Sequence, residues 1–443
     1  MNLSLLLQFA VVLGAIAIGA RFGGVALGLW GAVGVVVLAV VFGVPPTSPP
    51  IDVMLIIIAV VMAASVMEAA GGIDYLVSVA ERIIRRYPKR ITLVAPLVAY
   101  AFTFGAGTGH VFYPLLPIIY EVAHDSGVRP ERPISVSSIA SQQAITASPV
   151  SAAMAAMIVL FTPLGFGLPQ IMMIAVPATL MGVIVASLVQ TRVGKDLKDD
   201  PEYQARLAAG EIPPPTPHHV KAEQPLQPGA KLSAMLFLLG VVLVVIAGAF
   251  PQLRPVVPVG NTTAPLPMPL TIQLIMLSVG AIMLWLTKAP VAEVPRTKVA
   301  QAGLTAVIGI FGLAWLGDSF IKANEAVIVG ALGSMATAYP WTFAFGLFFA
   351  SVLLFSQAAT TRALMPLGIS LGIPAASLIG MWPAVNGYFF LPTYGTQIAA
   401  VNFDQSGTTR FGKYILNHSF MIPGVIATVT AVLVGLLIGN LLF

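Results

Sequence analysis

Four short stretches of this chain carry residues able to do chemistry, and each interrupts an apolar run. In "SQAATTRALMPLG" Arg362 follows Thr360 and Thr361, and in "GAGTGH" Gly107, Thr108 and Gly109 precede His110. "TASPVS" holds Ser148 and Pro149, and "PTYGT" holds Thr393, Tyr394 and Thr396. These types suit the capture of an anion rather than the making of bonds. A guanidinium offers a fixed fork of donors to a carboxylate, hydroxyls add further donors, and small residues let a ligand approach backbone N–H groups. An arginine held in hydrocarbon costs roughly 3 kcal/mol on insertion scales and more in simulations. An anionic substrate offsets that cost through charge-assisted hydrogen bonds. The competing reading is a structural arginine, satisfied by carbonyls or paired to an acid such as Asp404.

The other three stretches extend the same chemistry. Ser148 as N-cap and Pro149 as first helical residue would begin a half-helix, whose exposed N–H groups and positive end attract anions. The plainer alternative is repair of a kink in one long helix. Thr108, Thr396 and either Thr360 or Thr361 can cap three further helix starts. His110 is the candidate proton carrier, because imidazole titrates near neutral pH, against a packed histidine donating to a carbonyl. Two clusters of donors, one in each half of the chain, suit a substrate with two carboxylates.

Enzymatic readings find little support. No Ser-His-acid arrangement can be specified and no H-E-x-x-H occurs. The glycine stretch departs from G-x-G-x-x-G and lacks strand–helix flanks. There is no cysteine, and the His218–His219 pair lies in a polar, Pro-rich segment that reads as solvated loop rather than metal site. The expectation is neither an enzyme nor a cofactor or metal protein. An anion channel is the alternative on the same frame, since channels also use arginine rings and half-helices.

What must position these residues is a membrane-embedded helical frame. The chain has 443 residues, 58% of them hydrophobic and 9% charged, with a mean hydropathy of +0.93. Soluble domains carry about 25% charged residues. Uncharged runs recur at Leu3–Ala20, Val25–Val44, Val53–Met67, Ala152–Gln190, Leu232–Phe250 and Tyr414–Phe443, near the ~20 residues that span a bilayer as a helix. No basic residue precedes the first run, and Arg21 follows it, so it reads as a retained helix rather than a signal peptide. The formal charge of +5 sits in short connectors, a pattern that speaks of orientation in a bilayer and not of nucleic acid. It places the termini outside and the long polar segment inside.

The irregular stretches recur in order. Residues 1–190 read as a first repeat with three helices, a re-entrant hairpin at 91–124, a broken helix at 134–160 and a last helix at 169–190. A polar linker follows at 191–232, with one short helix at most. Residues 233–443 read as a second repeat with three helices, a hairpin at 340–374, a broken helix at 375–401 and a last helix at 414–443. An odd number of crossings per half inverts one half relative to the other, the plan of secondary transporters with sites at discontinuous helices. The expected fold is thus all-α and polytopic: two inverted repeats, about ten transmembrane helices and two re-entrant hairpins. "DSFIKANE" at 318–325 reads as an outer connector, and Glu68 and Asp74 as groups at an interface beside a Gly-Gly turn. Gly19–Gly23 and Gly24–Gly28 mark close helix packing.

On the stretches "GTGHVFYPLLPIIYEVA", "RPERPISVSSIASQ", "ASPVS", "SQAATTRALMPLG" and "LPTYGTQIAAVNFDQSGTTRFGKYILNHSFMIPG", the chain resembles the anaerobic C4-dicarboxylate uptake (Dcu) family of bacterial inner-membrane transporters. The resemblance covers essentially the whole chain. It implies transport of fumarate, succinate, malate and aspartate, largely by exchange. It also implies kinship with a larger ion-transporter superfamily, in which a homodimer carries a fixed scaffold and a mobile, elevator-like domain bearing two hairpins. A second role beside a sensor kinase occurs in such families. Two departures stand out. Members often carry lysine where this chain has Arg362, and neither hairpin tip has the Ser-Asn-Thr motif of sodium-coupled relatives, which leaves proton coupling or pure exchange.

Overall fold

The structure, a computed structural model, describes residues 3–22, 24–212, 214–215, 225–259, 262–354, 356–391, 394–412 and 416–443, with side chains at 20, 259, 262 and 328–337 left aside. Thr393, His218 and His219 lie outside the described residues. The first half runs through α1 (Leu3–Phe22), α2 (Ala26–Phe42), α3 (Ile51–Ala69), α4 (Gly72–Arg86), α5 (Ile91–Ala106), α6 (Leu115–Asp125), α7 (Glu131–Ala147), α8 (Ala152–Phe161) and α9 (Leu168–Gln190). The short helix α10 (Pro201–Ala208) follows. The second half holds α11 (Ala230–Ala249), α12 (Met268–Thr287), α13 (Lys298–Gly309), α14 (Trp315–Ala338), α15 (Phe343–Leu354), α16 (Gln357–Ser370), α17 (Ala375–Met381), α18 (Gly395–Phe403) and α19 (Met421–Leu442). A two-stranded antiparallel ribbon, Val256–Val259 with Thr262–Pro265, caps the α11–α12 connection.

Among the described residues, seven helical stretches are long and apolar enough to cross a bilayer, and Leu3–Gly19, Ala26–Phe42 and Pro340–Leu354 are shorter apolar helices. Helices are the form a chain must take there, because a bilayer offers no water to satisfy loose backbone groups. α5 and α6 form one pair joined through residues 107–114, and α15 and α16 another, with Ser356 directly before α16. α7 and α8 are separated at 148–151; α17 passes through a 3-10 stretch, Trp382–Phe389, before α18. α9 packs along α19, α5 along α7 and α12 along α3.

Several boundaries differ from the sequence expectation. The last helix begins at Met421 rather than 414, because Ser419 and His418 are committed to backbone: Ser419 Oγ accepts from Arg410 N–H at 3.0 Å and His418 Nδ1 from Phe420 N–H at 3.2 Å. The 318–325 segment is no connector. It continues α14, with Phe320 and Ile321 buried against Leu5 and Leu38. Glu68 caps α13, accepting from the N–H groups of Lys298 and Val299 at 3.2 and 2.9 Å. The described part of the linker is pinned rather than loose. Arg129 pairs with Asp200, Arg132 with Asp196 at 2.8 Å and Arg410 with Glu202 at 3.1 Å, and His124 Nε2 lies 2.9 Å from the Tyr203 hydroxyl. Burial raises the Asp200 carboxyl, but the Arg129 guanidinium and the Tyr203 and Glu202 N–H groups outweigh it and hold it below the usual carboxylate range.

One crossing fixes the frame beside the cavity described below. Between α13 and α14 the helix widens into a π turn, Ile310–Ala314, and α2 presses against it. A Cβ on Gly28 would lie 2.0 Å from the Ile308 carbonyl oxygen, and one on Gly312 1.6 Å from that of Gly28. Backbone cannot yield as a side-chain tip would, so overpacking of at least the usual ~1–3 kcal/mol is expected from Gly28→Val. Gly14, with open space around its Cβ position, is the control: in detergent-solubilised protein, Gly28→Val lowers the melting temperature and recovery of folded chain, while Gly14→Ala leaves both unchanged or slightly improved.

Candidate functional site

A cavity of about 580 Å³ lies where the irregular segments meet, within the roughly 300–1,000 Å³ range of small-molecule sites. One wall comes from α2, α3 and α13 through Leu27, Ile57, Val61, Ala64, Val299 and Gly303. The opposite wall comes from the two helix pairs and the two interrupted helices, through Ala106–His110, Gln142, Val150, Ala152, Ser356–Ala359 and Tyr394–Thr396. No Asp, Glu, Lys or Arg lines it; His110, Tyr113 and Tyr394 are its titratable groups among the described residues.

What the wall does present is the beginnings of helices. The first residues of α8, α16 and α18 all line it, as does the 3-10 turn Gly109–Phe112. Ser151 Oγ accepts from Met154 N–H at 3.0 Å and Ser356 Oγ from Ala359 N–H at 3.2 Å. In α18 the Gln397 N–H donates to the Tyr394 carbonyl at 3.0 Å; helix starts in general leave N–H groups without an intrahelical acceptor, and the aligned peptide dipoles make such ends electropositive. The approach at the tip is tight. Gly107 ends α5 with φ of +71°, and a Cβ there would meet the Val150 carbonyl oxygen at 2.8 Å; a side chain is disfavoured on both counts.

Behind this wall runs a network of neutral amides and hydroxyls. α7 is buried on every face, and Ser135, Ser138, Ser141, Gln142, Gln143 and Thr146 are all at most 1% exposed. Thr103 and Ser141 share a 2.7 Å bond, and Gln190 Nε2 donates to Ser135 Oγ at 2.9 Å. Gln357 Nε2 donates to Gln142 Oε1 at 3.0 Å and to Asn386 Oδ1 at 3.2 Å. Asn386 Nδ2 reaches Gln143 Oε1 at 3.3 Å, and Gln143 Nε2 reaches Thr428 Oγ1 at 3.1 Å. The chain of bonds thus joins α7, α16, the 3-10 stretch and α19. A buried polar helix is tolerable only when so satisfied.

The sequence profile described as "Anaerobic c4-dicarboxylate membrane transporter" matches residues 4–443. The chain belongs to that family. It is therefore a multi-pass membrane protein of a transporter family, not an enzyme. The C4-dicarboxylate transporter DcuA of Wolinella succinogenes is 40% identical over 99% of this chain and 100% of its own length. DcuA of Escherichia coli K12 is 41% identical over 98% and 99%, and the anaerobic C4-dicarboxylate transporter DcuB of Escherichia coli O6:H1 is 38% identical over 95% of each chain. Two solved transporters share the fold at low identity. Alcanivorax borkumensis YdaH aligns with a TM-score of 0.53 at 14% identity over 99% of this chain and 98% of its own. Neisseria gonorrhoeae MtrF aligns with 0.51 at 12% over 100% and 95%.

In this family member the residues singled out from sequence divide into two groups. Gly107, Thr108, Gly109, His110, Tyr394 and Thr396 line the cavity; Ser148, Pro149, Thr360, Thr361 and Arg362 do not. Ser148 ends α7 and Ser151 caps α8, since Ser151 sits three residues before the N–H it bonds. Ser356, not Thr360 or Thr361, caps α16. The two threonines lie inside that helix, donating to the Ser356 and Gln357 carbonyls at 2.8 and 2.7 Å, and Thr361 also accepts from Trp382 Nε1 at 2.8 Å. Thr108 Oγ1 accepts from His110 N–H at 3.4 Å, and Thr396 Oγ1 from Ser138 Oγ at 3.4 Å.

Arg362 lies four residues beyond Ala358, about 6 Å further along α16. Its Nη2 is 3.2 Å from Asp318 Oδ2 on α14, both side chains are about 15% exposed, and its Nε has no partner. Asp318, the acid that offsets the guanidinium here, and the amides Gln142, Gln143, Gln357 and Asn386 were not singled out from sequence. The signal for the amides was the polar-rich run "SVSSIASQQAIT", whose Ser, Gln and Thr residues fall on more than one helix face. Removing one partner of such a pair costs about 3–5 kcal/mol through the charge left behind. In thermal denaturation of detergent-solubilised protein, Asp318→Ala is expected to be strongly destabilised, and the double variant Asp318→Ala with Arg362→Ala to recover part of the loss.

Proposed function

We propose that this protein is a secondary active transporter of C4-dicarboxylates (fumarate, succinate, malate and aspartate), working mainly by exchange across a bacterial inner membrane. The observation that carries the reading is the convergence of several helix starts on one cavity that, among the described residues, holds no carboxylate. Such a wall attracts a dianion through backbone donors while adding no competing negative charge. The names of relatives near 40% identity over nearly the full chain point to the same substrate class. In this reading Gly107, Thr108, Gly109, His110, Tyr394 and Thr396 bind the substrate directly; Thr393 lies outside the described residues.

The mechanism we infer is alternating access of the elevator kind. The hairpin-bearing wall moves against α2, α3 and α13 and carries the cavity with it. Arg362 is held by Asp318 in the present state and exchanges that carboxylate for one of the substrate's as α16 shifts relative to α14. A guanidinium suits this role because its charge persists and its fork fits either carboxylate. Ser148, Pro149, Thr360 and Thr361 then act by fixing the backbone around the site. The basic connectors favour a cytoplasmic linker at 191–232 with both termini periplasmic, and a homodimer would supply the fixed scaffold. Coupling to protons would fall to His110.

The test is counterflow. Proteoliposomes loaded with succinate take up labelled fumarate, and uptake disappears without internal dicarboxylate; correctly inserted protein showing no counterflow rejects the proposal. Uptake independent of internal substrate would mark a channel instead. The double variant Arg362→Ala with Asp318→Ala folds but loses counterflow, whereas Arg362→Lys keeps a substantial fraction. Normal counterflow in the double variant would remove Arg362 from the substrate path.

A further inference from the structure

The amide chain behind the cavity has a fixed direction. The Pro383 carbonyl can only accept, so its 3.1 Å bond from Asn386 Nδ2 sets the orientation of that amide. Asn386 Oδ1 must then face Gln357, which presents Nε2 to it at 3.2 Å and uses the same nitrogen for Gln142 Oε1 at 3.0 Å. Both hydrogens of the Gln357 amide are thereby engaged. Its Oε1 has no hydrogen-bond partner among the described residues, although Gln357 is only 7% exposed and lines the cavity. At the other end Gln142 has its oxygen occupied, while its Nε2 lies against the hairpin tip, 2.6 Å from where a Cβ on Gly109 would be.

Among the described residues the cavity wall therefore carries one uncommitted side-chain carbonyl, since Gln142 and Gln357 are the amides that line it there and no carboxylate does. Helix starts and hydroxyls can satisfy the two carboxylates of a dicarboxylate. They give little to a donor attached between them. Fumarate and succinate have no such donor, whereas aspartate carries an ammonium at C2 and malate a hydroxyl.

We propose that Gln357 is a specificity-determining residue whose Oε1 accepts from the C2 substituent of a four-carbon dicarboxylate, an ammonium above all. Gln142 and Asn386 act as positioning residues that aim this oxygen into the cavity. This rests on the transport reading above. A site built to hydrogen-bond a substrate group discriminates against analogues lacking it far better than an apolar wall does.

The experiment is inhibition of labelled fumarate counterflow by unlabelled aspartate and succinate in proteoliposomes of the parent, Gln357→Met and Gln357→Glu. Methionine keeps the length and removes the acceptor: half-inhibition by aspartate shifts upward about tenfold and by succinate less than about threefold. Glutamate keeps an acceptor and adds negative charge, so it weakens succinate more than aspartate and moves the ratio the opposite way. Should Gln357→Met not fold, the ratio in Gln357→Glu decides alone. Equal shifts for both inhibitors, the outcome of a merely structural link to Gln142 and Asn386, overturn this assignment. A parent protein that moves no dicarboxylate overturns the transport reading and this one together.

Discussion

A peptide N–H without an acceptor inside a bilayer is the constraint from which the rest of this molecule follows. Each interrupted helix exposes several such groups, and hydrocarbon cannot satisfy them. The fold gathers its interruptions onto one cavity, where water or an anion can serve as acceptor. The flanking helices α2, α3 and α13 provide the opposing wall, and the close crossing of Gly28 on the π turn at Gly312 keeps that wall near. Ser151 and Ser356 absorb one N–H each, and the first residues of α8 and α16 line the cavity.

The same constraint explains the unusual interior of α7. A helix carrying Ser135, Ser138, Ser141, Gln142, Gln143 and Thr146 with almost no exposed surface stands because each of these side chains finds a partner, while Ser137 Oγ has none among the described residues. Neutral amides are well suited to the task. They bond in both senses, avoid the several kcal/mol that burying an ion costs, and fix orientation because each partner's polarity dictates the next. Gln357, Asn386 and Gln143 link one half of the chain to the other, so the two sets of interruptions hold register with each other.

Much of this was legible in the sequence. Hydropathy runs gave the helices, and Gly, Ser, Pro and Thr clusters inside apolar runs gave breaks at 105–110 and 146–151; the stretch 356–362 reads as a hairpin tip, whereas α16 already begins at Gln357. Function followed from residue types at those breaks together with the family motifs. Finer placement was not legible. Ser148 and Ser151 are equivalent candidates for capping by type, and only backbone geometry makes the latter the cap. Arg362 announces a buried cation, but its partner Asp318 sits 44 positions away by numbering in a stretch whose charges imitate a surface loop. The linker's docking onto Arg129, Arg132 and Arg410 is likewise a matter of long-range pairing, which local pattern does not encode. The amides stayed unnoticed because nothing in a glutamine's chemistry distinguishes a buried network from a wet surface until its neighbours are known.

The absence of ionised side chains from the cavity wall has an electrical consequence. The pair of Arg362 with Asp318, further along α16, is neutral as a unit. Among the described residues the wall itself thus offers transmembrane voltage no Asp, Glu, Lys or Arg to pull on. A dianion seated there would feel about 2.3 kcal/mol per charge for each 100 mV it traverses, so the charge of a guest, rather than that of the lining, would dominate the response to potential.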